Sequence, residues 1–266
     1  MSDTLACSSG MDKEIKIYDL MKLKQFVIGE AAGTVSCLRY SSGCNALISA
    51  GWDGSVSVWD ARARQQSNPN QQTSLRSAIS DKAKAYSMDL LGNSSVLIAT
   101  NTLQVAQYDI RQFDRPSQVF DTNLNYSLRC VRTLRGDEGF ATSCIEGRVS
   151  IGYFAPNTSD RKPYCFKCHR QAVNGVDTVF SVDALVVHPE RNCLVTGGGN
   201  HSVCFWDYKS KKRITQITVF EQPIAALAFN ADGSRLAIAS SYLYENGKKE
   251  NTSNTIVVKT VTEKEV

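Results

Sequence analysis

A two-strand unit of 14 residues recurs along this chain, and it constrains the fold more than any other feature. Leu47 to Asp60 reads LISAGWDGSVSVWD: a strand, a tight Asp53-Gly54 turn, and a second strand closing on Trp59-Asp60. Leu194 to Asp207, LVTGGGNHSVCFWD, repeats the unit at equal length and again closes on Trp-Asp. Weaker copies run from Ala6 to Asp19, Val96 to Asp109 and Phe140 to Tyr153, and a last copy, Leu236 to about Lys259, carries a long insertion. The copies end at 19, 60, 109, 153, 207 and about 259, giving gaps of 41, 49, 44, 54 and about 52 residues. That is the period of four short strands per blade in a Trp-Asp repeat propeller. Alternating apolar pairs such as Val56 and Val58, or Val203 and Phe205, supply one buried face per strand. Asp53-Gly54 gives the hairpin its backbone freedom, and Gly197-Gly198-Gly199 reads as the equivalent turn.

The expectation is an all-β WD-repeat β-propeller forming a single domain over residues 1–266. The chain opens close to a mid-blade strand, with no strand ahead of Leu5 to begin that blade. The propeller is therefore expected to be N-terminally incomplete, lacking about one blade.

Composition narrows the function classes. The 42% apolar and 21% charged residues are ordinary for a globular chain. Thirty Lys and Arg against 26 Asp and Glu leave +4, too small a bias to indicate nucleic-acid or membrane binding. No apolar run approaches the roughly 18 residues that a membrane helix needs. Nine irregularly spaced cysteines and the opening Met-Ser-Asp-Thr point to a reducing compartment, where the sequons at Asn93, Asn157, Asn200 and Asn251 mean nothing for glycosylation.

Cys165-Phe166-Lys167-Cys168-His169 matches the haem-attachment pattern. A strand from Tyr164 to His169 explains it better, because cysteines three apart on a strand face opposite ways. Zinc is not expected either: there is no second C-x-x-C, and His188 and His201 lack ligand spacing. With no hydrolase, metalloprotease or P-loop motif, the sequence implies no enzyme, no catalytic residue, no metal and no cofactor. The basic residues are more informative. Arg129 and Arg132 follow Asn125-Tyr126-Ser127-Leu128, Arg148 follows the Glu146-Gly147 turn, and Lys167 and Arg170 flank Cys168-His169. Arg148 and Lys167 are expected at strand ends on adjacent blades, where a basic rim beside Trp52 would suit an acidic or phosphorylated peptide. Lys211-Lys212-Arg213 reads as a solvated loop.

Four segments then stand in a telling order: Ser49 to Gly54 (SAGWDG), Cys144 to Val149 (CIEGRV), Phe166 to Arg170 (FKCHR) and Leu236 to Tyr242 (LAIASSY). Together they resemble the budding-uninhibited-by-benzimidazoles WD-repeat family of the mitotic spindle checkpoint. A sister family, the WD-repeat mRNA-export factors, shares the CIEGRV-like and FKCHR-like motifs. The resemblance implies a seven-bladed propeller in the family and a non-enzymatic adaptor that acts in the nucleus and, in mitosis, at kinetochores. Its implied partners are checkpoint kinases or kinase-like proteins carrying an acidic GLEBS motif, and a kinetochore scaffold carrying phosphorylated Met-Glu-Leu-Thr repeats. No nucleic acid is contacted directly, and no membrane. Carried over by position, Arg129 would meet a GLEBS glutamate, Arg148 and Lys167 would hold the phosphopeptide, and Trp52 would pack on its apolar part. The alternative is an export adaptor using the GLEBS contact alone. Asn200-His201 replaces the usual Asp-Gly hairpin turn, which should weaken that turn without touching the site.

Overall fold

The computed structural model describes residues 4–61, 74–79, 83–155, 162–245, 247–249 and 253–266. The sequons at Asn157 and Asn251 and part of the insertion in the last repeat lie outside these residues. Contacts divide the chain into two compact units, Met1–Asp121 and Thr122–Val266.

In the first unit, β1 (Leu5–Ser8), β2 (Glu14–Asp19) and β3 (Lys24–Glu30) form a three-stranded sheet. β4 (Val35–Ser41), β5 (Ala46–Gly51), β6 (Ser55–Asp60) and β7 (Ser74–Ala78) form a four-stranded one. A second four-stranded sheet holds β8 (Ala85–Leu91), β9 (Ser95–Thr100), β10 (Gln104–Asp109) and β11 (Gln118–Asp121).

The second unit repeats the pattern. β12 (Leu128–Thr133), β13 (Gly139–Cys144), β14 (Arg148–Tyr153) and β15 (Tyr164–Lys167) make one sheet. A two-stranded hairpin of β16 (Arg170–Val173) and β17 (Val176–Val179) follows. Next come β18 (Val182–Val187), β19 (Cys193–Gly198), β20 (Val203–Asp207) and β21 (Lys212–Ile217) as a sheet. The last three strands, β22 (Ile224–Phe229), β23 (Arg235–Ser240) and β24 (Thr255–Thr260), form another. Pairing is antiparallel throughout, and all six copies of the repeat fall on hairpins of neighbouring strands.

Within each unit the cores lie between neighbouring sheets, because the inner strands bury apolar rows against the next sheet. Ile15, Ile17, Val35, Leu47 and Trp59 fill one such layer, and Ile48, Val56, Met88 and Ile98 the next. In the second unit, Val149, Ile151, Leu185 and Leu194 form one layer and Val203, Phe205, Ile224 and Ile238 another. Hydrogen bonds add direction to this packing. Trp59 Nε1 donates to Ser49 Oγ at 2.9 Å, and Trp206 Nε1 to Thr196 Oγ1 at 3.0 Å.

Two backbone devices repeat. The first strand of a sheet carries a one-residue bulge near its start, so that Ser36, Tyr86, Arg129, Asp183 and Ala225 each fall out of register. Bulges of this kind re-aim a side chain out of the pleat. Five of the repeat hairpins turn through one residue of positive φ: Lys13 (65°), Gly54 (78°), Leu103 (63°), Gly147 (61°) and His201 (60°).

Three local expectations need correction. β15 ends at Lys167, and His169 adopts a φ of 49°, so the strand does not reach Cys168 and His169. Gly197 and Gly198 belong to β19, the turn beginning only at Gly199. A side chain on Gly198 would press on the His169 ring at 2.4 Å, which accounts for the glycine there. Lys212 and Arg213 belong to β21, where their backbone pairs with Trp206 and Asp207. Lys211 alone is in the turn, its ammonium 4.5 Å from the centre of the Tyr164 ring.

His201 occupies a left-handed position without being glycine. His201→Gly is expected to raise the unfolding free energy by about 0.5–1 kcal/mol, the relief of left-handed strain less the extra freedom of unfolded glycine. Urea denaturation measures it; a variant no more stable than the parent would contradict the strain.

Candidate functional site

Arg148 opens β14 directly after the Glu146-Gly147 turn, and in the β14–β15 register it stands opposite Lys167. The two therefore share one sheet instead of lying on adjacent blades, because the connection after Tyr153 leads to the fourth strand of the same sheet. Directly opposed like charges destabilise a sheet, and Lys167 has no ion pair among the described residues. An arrangement that local energetics disfavour is a mark of function.

Arg170, at the start of β16, joins them. Its Nη2 donates to the Glu146 carbonyl at 3.3 Å and lies 3.9 Å from Glu146 Oε1. Its Nη1 donates to Asp177 Oδ2 at 3.3 Å. Glu146 Oε2 is 3.2 Å from Arg148 Nε, yet the angle does not make a hydrogen bond. Nε of Arg148 and Nε of Arg170 are both buried without a hydrogen-bond partner among the described residues. Buried guanidinium donors left open are uncommon, and they suit an oxyanion ligand that would complete them. Lys167 and Arg170 also line a cleft of about 150 Å³ with Trp206, Arg213 and Gln216.

Gly147 sets this geometry. Its carbonyl accepts the Cys168 N–H at 2.9 Å, tying the turn to the chain just beyond Lys167. A Cβ there would meet Cys168 O at 2.7 Å and Val179 Cγ1 at 2.9 Å, and its φ is already left-handed.

Behind the cations the contacts are structural. Trp206 N–H donates to Thr196 Oγ1, whose hydroxyl lies 2.8 Å from His169 Nε2. His169 Nδ1 lies 2.7 Å from Asn200 Oδ1, an acceptor that also takes Ser202 Oγ at 2.8 Å. The ring is thus assigned as the neutral Nδ1–H tautomer, and burial pushes its pKa below the ordinary 6.5. Asn200 is therefore part of the support behind Lys167, not a turn residue of no consequence to the site. The haem pattern dissolves on the same evidence. Cys168 is packed in the core, where burial pushes its thiol pKa up. The Cys165 sulfur turns instead to the Thr122 and Asn123 carbonyls, 3.8 and 3.6 Å away.

Arg129 sits apart from this cluster, on the β12 bulge. Its Nε donates to Asp183 Oδ1 at 2.8 Å, and its Nη2 is 2.7 Å from the same oxygen. Asp183, on the β18 bulge, is 3% exposed and also accepts Ser181 Oγ at 2.6 Å. The arginine remains 45% exposed, so part of a well-held guanidinium faces solvent. Trp52 belongs to the first unit, at the tip of the β5–β6 turn, with 54% of its surface exposed. The sequence reading passed over Glu146 as a contact and Asp183 altogether. Aligning L-R-C of β12 with V-D-A of β18 is the signal that would have found Asp183.

Two outcomes follow. Gly147→Ala is expected to lose at least about 1–2 kcal/mol of stability from the left-handed turn alone, read by denaturant titration; parental stability would contradict the geometry. Burial also lowers the His188 pKa. Unfolded imidazoles bind protons near 6.5 and these folded ones only below it, so stability should fall as pH drops from 7 through 6.5 towards 5. A melting temperature that stays flat across that window would contradict the buried neutral rings.

Comparison with known proteins agrees with the fold and narrows the family. The WD domain, G-beta repeat family matches residues 22–60 and 161–207. The solved structure of U3-55K superposes with a TM-score of 0.76 at 18% identity, over 97% of this chain and 77% of that one, which speaks for the fold alone. The chain is 26% identical to mRNA export factor GLE2 of Chaetomium thermophilum, over 94% of its own length and 68% of the relative's. It is 35% identical to mitotic checkpoint protein BUB3.1 of Arabidopsis thaliana, over 97% of its own length and 75% of the relative's. The fold is accordingly a WD-repeat β-propeller, and the chain belongs to the BUB3 family of mitotic checkpoint proteins.

Proposed function

We propose that this chain is a non-enzymatic adaptor of the mitotic spindle assembly checkpoint, nuclear and located at kinetochores in mitosis. In this reading it holds checkpoint kinases or kinase-like proteins through their GLEBS segments at Arg129. It reads phosphothreonine in Met-Glu-Leu-Thr repeats of a kinetochore scaffold with Arg148 and Lys167. Family membership supports the checkpoint assignment, and the lower identity of the export factor makes transport the weaker reading.

The observation that carries the phosphopeptide role is the opposed Arg148–Lys167 pair with Arg170 beside it, three cations gathered where two guanidinium Nε groups lack a hydrogen-bond partner among the described residues. Guanidinium and ammonium groups match a phosphate by charge and by donor geometry, and such charge-assisted bonds are the strong ones. For Arg129, Asp183 takes one edge of the guanidinium and fixes its orientation, leaving the exposed remainder for a glutamate of the partner.

Binding of a labelled Met-Glu-Leu-phosphothreonine peptide, followed by anisotropy beside its unphosphorylated twin, tests the reading. Arg148→Ala is expected to weaken phosphopeptide binding by about 1.5–3 kcal/mol, the range for hydrogen bonds to charged groups. Arg129→Ala should impair capture of an acidic GLEBS peptide and leave the phosphopeptide affinity unchanged. Equal affinity for both twins, or an Arg148→Ala protein that binds as the parent does, would overturn the assignment.

A further inference from the structure

The residue at the hairpin tip has the same job in three of the six repeats, and Glu146 departs from it. Asp12 Oδ1 accepts the Glu14 N–H at 3.3 Å, and Asp53 Oδ1 accepts the Ser55 N–H at 3.0 Å and its Oγ at 2.7 Å. Asn200 Oδ1 likewise takes Ser202 Oγ at 2.8 Å. In each, a short side chain folds back on the residue two positions later and closes its own turn. Glu146 is one methylene longer, and its carboxylate lies instead 3.2 Å from Arg148 Nε and 3.9 Å from Arg170 Nη2. A carboxylate of the protein itself thus stands among the cations proposed to hold a phosphate.

We infer that Glu146 is the residue that makes this site select a phosphate dianion and reject a carboxylate. The inference rests on the phosphopeptide reading above. Arg148, Lys167 and Arg170 bring three positive charges and Glu146 one negative; Asp177 meets Arg170 from the β17 side, where it is 67% exposed and well solvated. A tethered carboxylate competes at a high effective concentration. A glutamate on an incoming peptide offers the guanidiniums one charge and two oxygens, no more than Glu146 already gives, and must also be ordered on binding. A phosphate offers about −1.5 to −2 charge and three oxygens, enough to displace Glu146 or to bind beside it. The open Nε donors of Arg148 and Arg170 fit this account, because Glu146 engages them by charge without completing their hydrogen bonds.

The test is a competition experiment on the full chain with three peptides that differ only at the key residue: phosphothreonine, threonine and glutamate. The parent is expected to bind the first and to discriminate strongly against the third. Glu146→Gln should retain or improve phosphothreonine binding and improve glutamate binding by more, so that the phosphothreonine-to-glutamate ratio falls about fivefold, an ordinary size for one partly exposed charge pair. Glu146→Asp keeps the charge but should dock on its own turn as Asp53 does, and a smaller fall in the ratio is expected. It decides the matter if the Gln variant does not melt cooperatively. A ratio unchanged in the folded variants would overturn the inference and leave the phosphopeptide reading standing. Loss of phosphothreonine binding in Glu146→Gln would overturn it as well, because Glu146 would then be orienting Arg148 instead of competing with the ligand. Failure of the parent itself to bind phosphothreonine would overturn the reading on which it rests.

Discussion

Five of the repeat hairpins turn through one residue in the left-handed region, and much else depends on that requirement. The turn fixes the register of the two strands, and with it which residues line the inter-sheet cores. Glycine meets the demand at Gly54 and Gly147, while Lys13, Leu103 and His201 meet it with side chains and some strain. At Gly147 the demand is doubled, since the Cys168 carbonyl and Val179 leave no room for a Cβ. The same turn therefore holds Glu146 and Arg148 on either side of a fixed point and ties them to the segment that carries Lys167 and Arg170. The cationic cluster is a consequence of turn geometry before it is a consequence of charge.

The bulges act in a complementary way. A regular strand would keep Arg129 and Asp183 within the pleat; one extra residue in β12 and in β18 brings them together as a pair. Behind the cations lies a hydrogen-bonded support, the path from Trp206 through Thr196 and His169 to Asn200. Its neutral imidazole adds no charge to the cluster in front of it. Asn200 supplies the acceptor of this support without adding a negative charge.

The fold was legible because strand alternation and turn residues recur every 41 to 54 residues, two copies ending on Trp-Asp, and every copy of the repeat is a hairpin. The site was legible only in part. Arg148 and Lys167 stood out as cations in recognisable motifs, but their pairing across one sheet depends on which strand follows the connection after Tyr153, and local sequence does not encode that. The ends of strands were misjudged where tertiary contacts decide them, as at His169, which leaves the strand to reach Thr196 and Asn200. Glycines 197 and 198 looked like a turn because glycine usually marks one. They lie in a strand, and they are glycine because the His169 ring and Ile224 pack too closely for any side chain.

The central claim is that a phosphate binds at the Glu146–Arg148 turn, held by groups from two strands of one sheet and the hairpin beside it. A crystal structure of the chain with a phosphothreonine peptide tests it most directly. Phosphate oxygens are expected within about 3 Å of the Arg148 guanidinium and the Lys167 ammonium, the length of charge-assisted hydrogen bonds. A phosphate bound elsewhere on the surface, with Arg148 and Lys167 still facing Glu146 and solvent, would contradict the account.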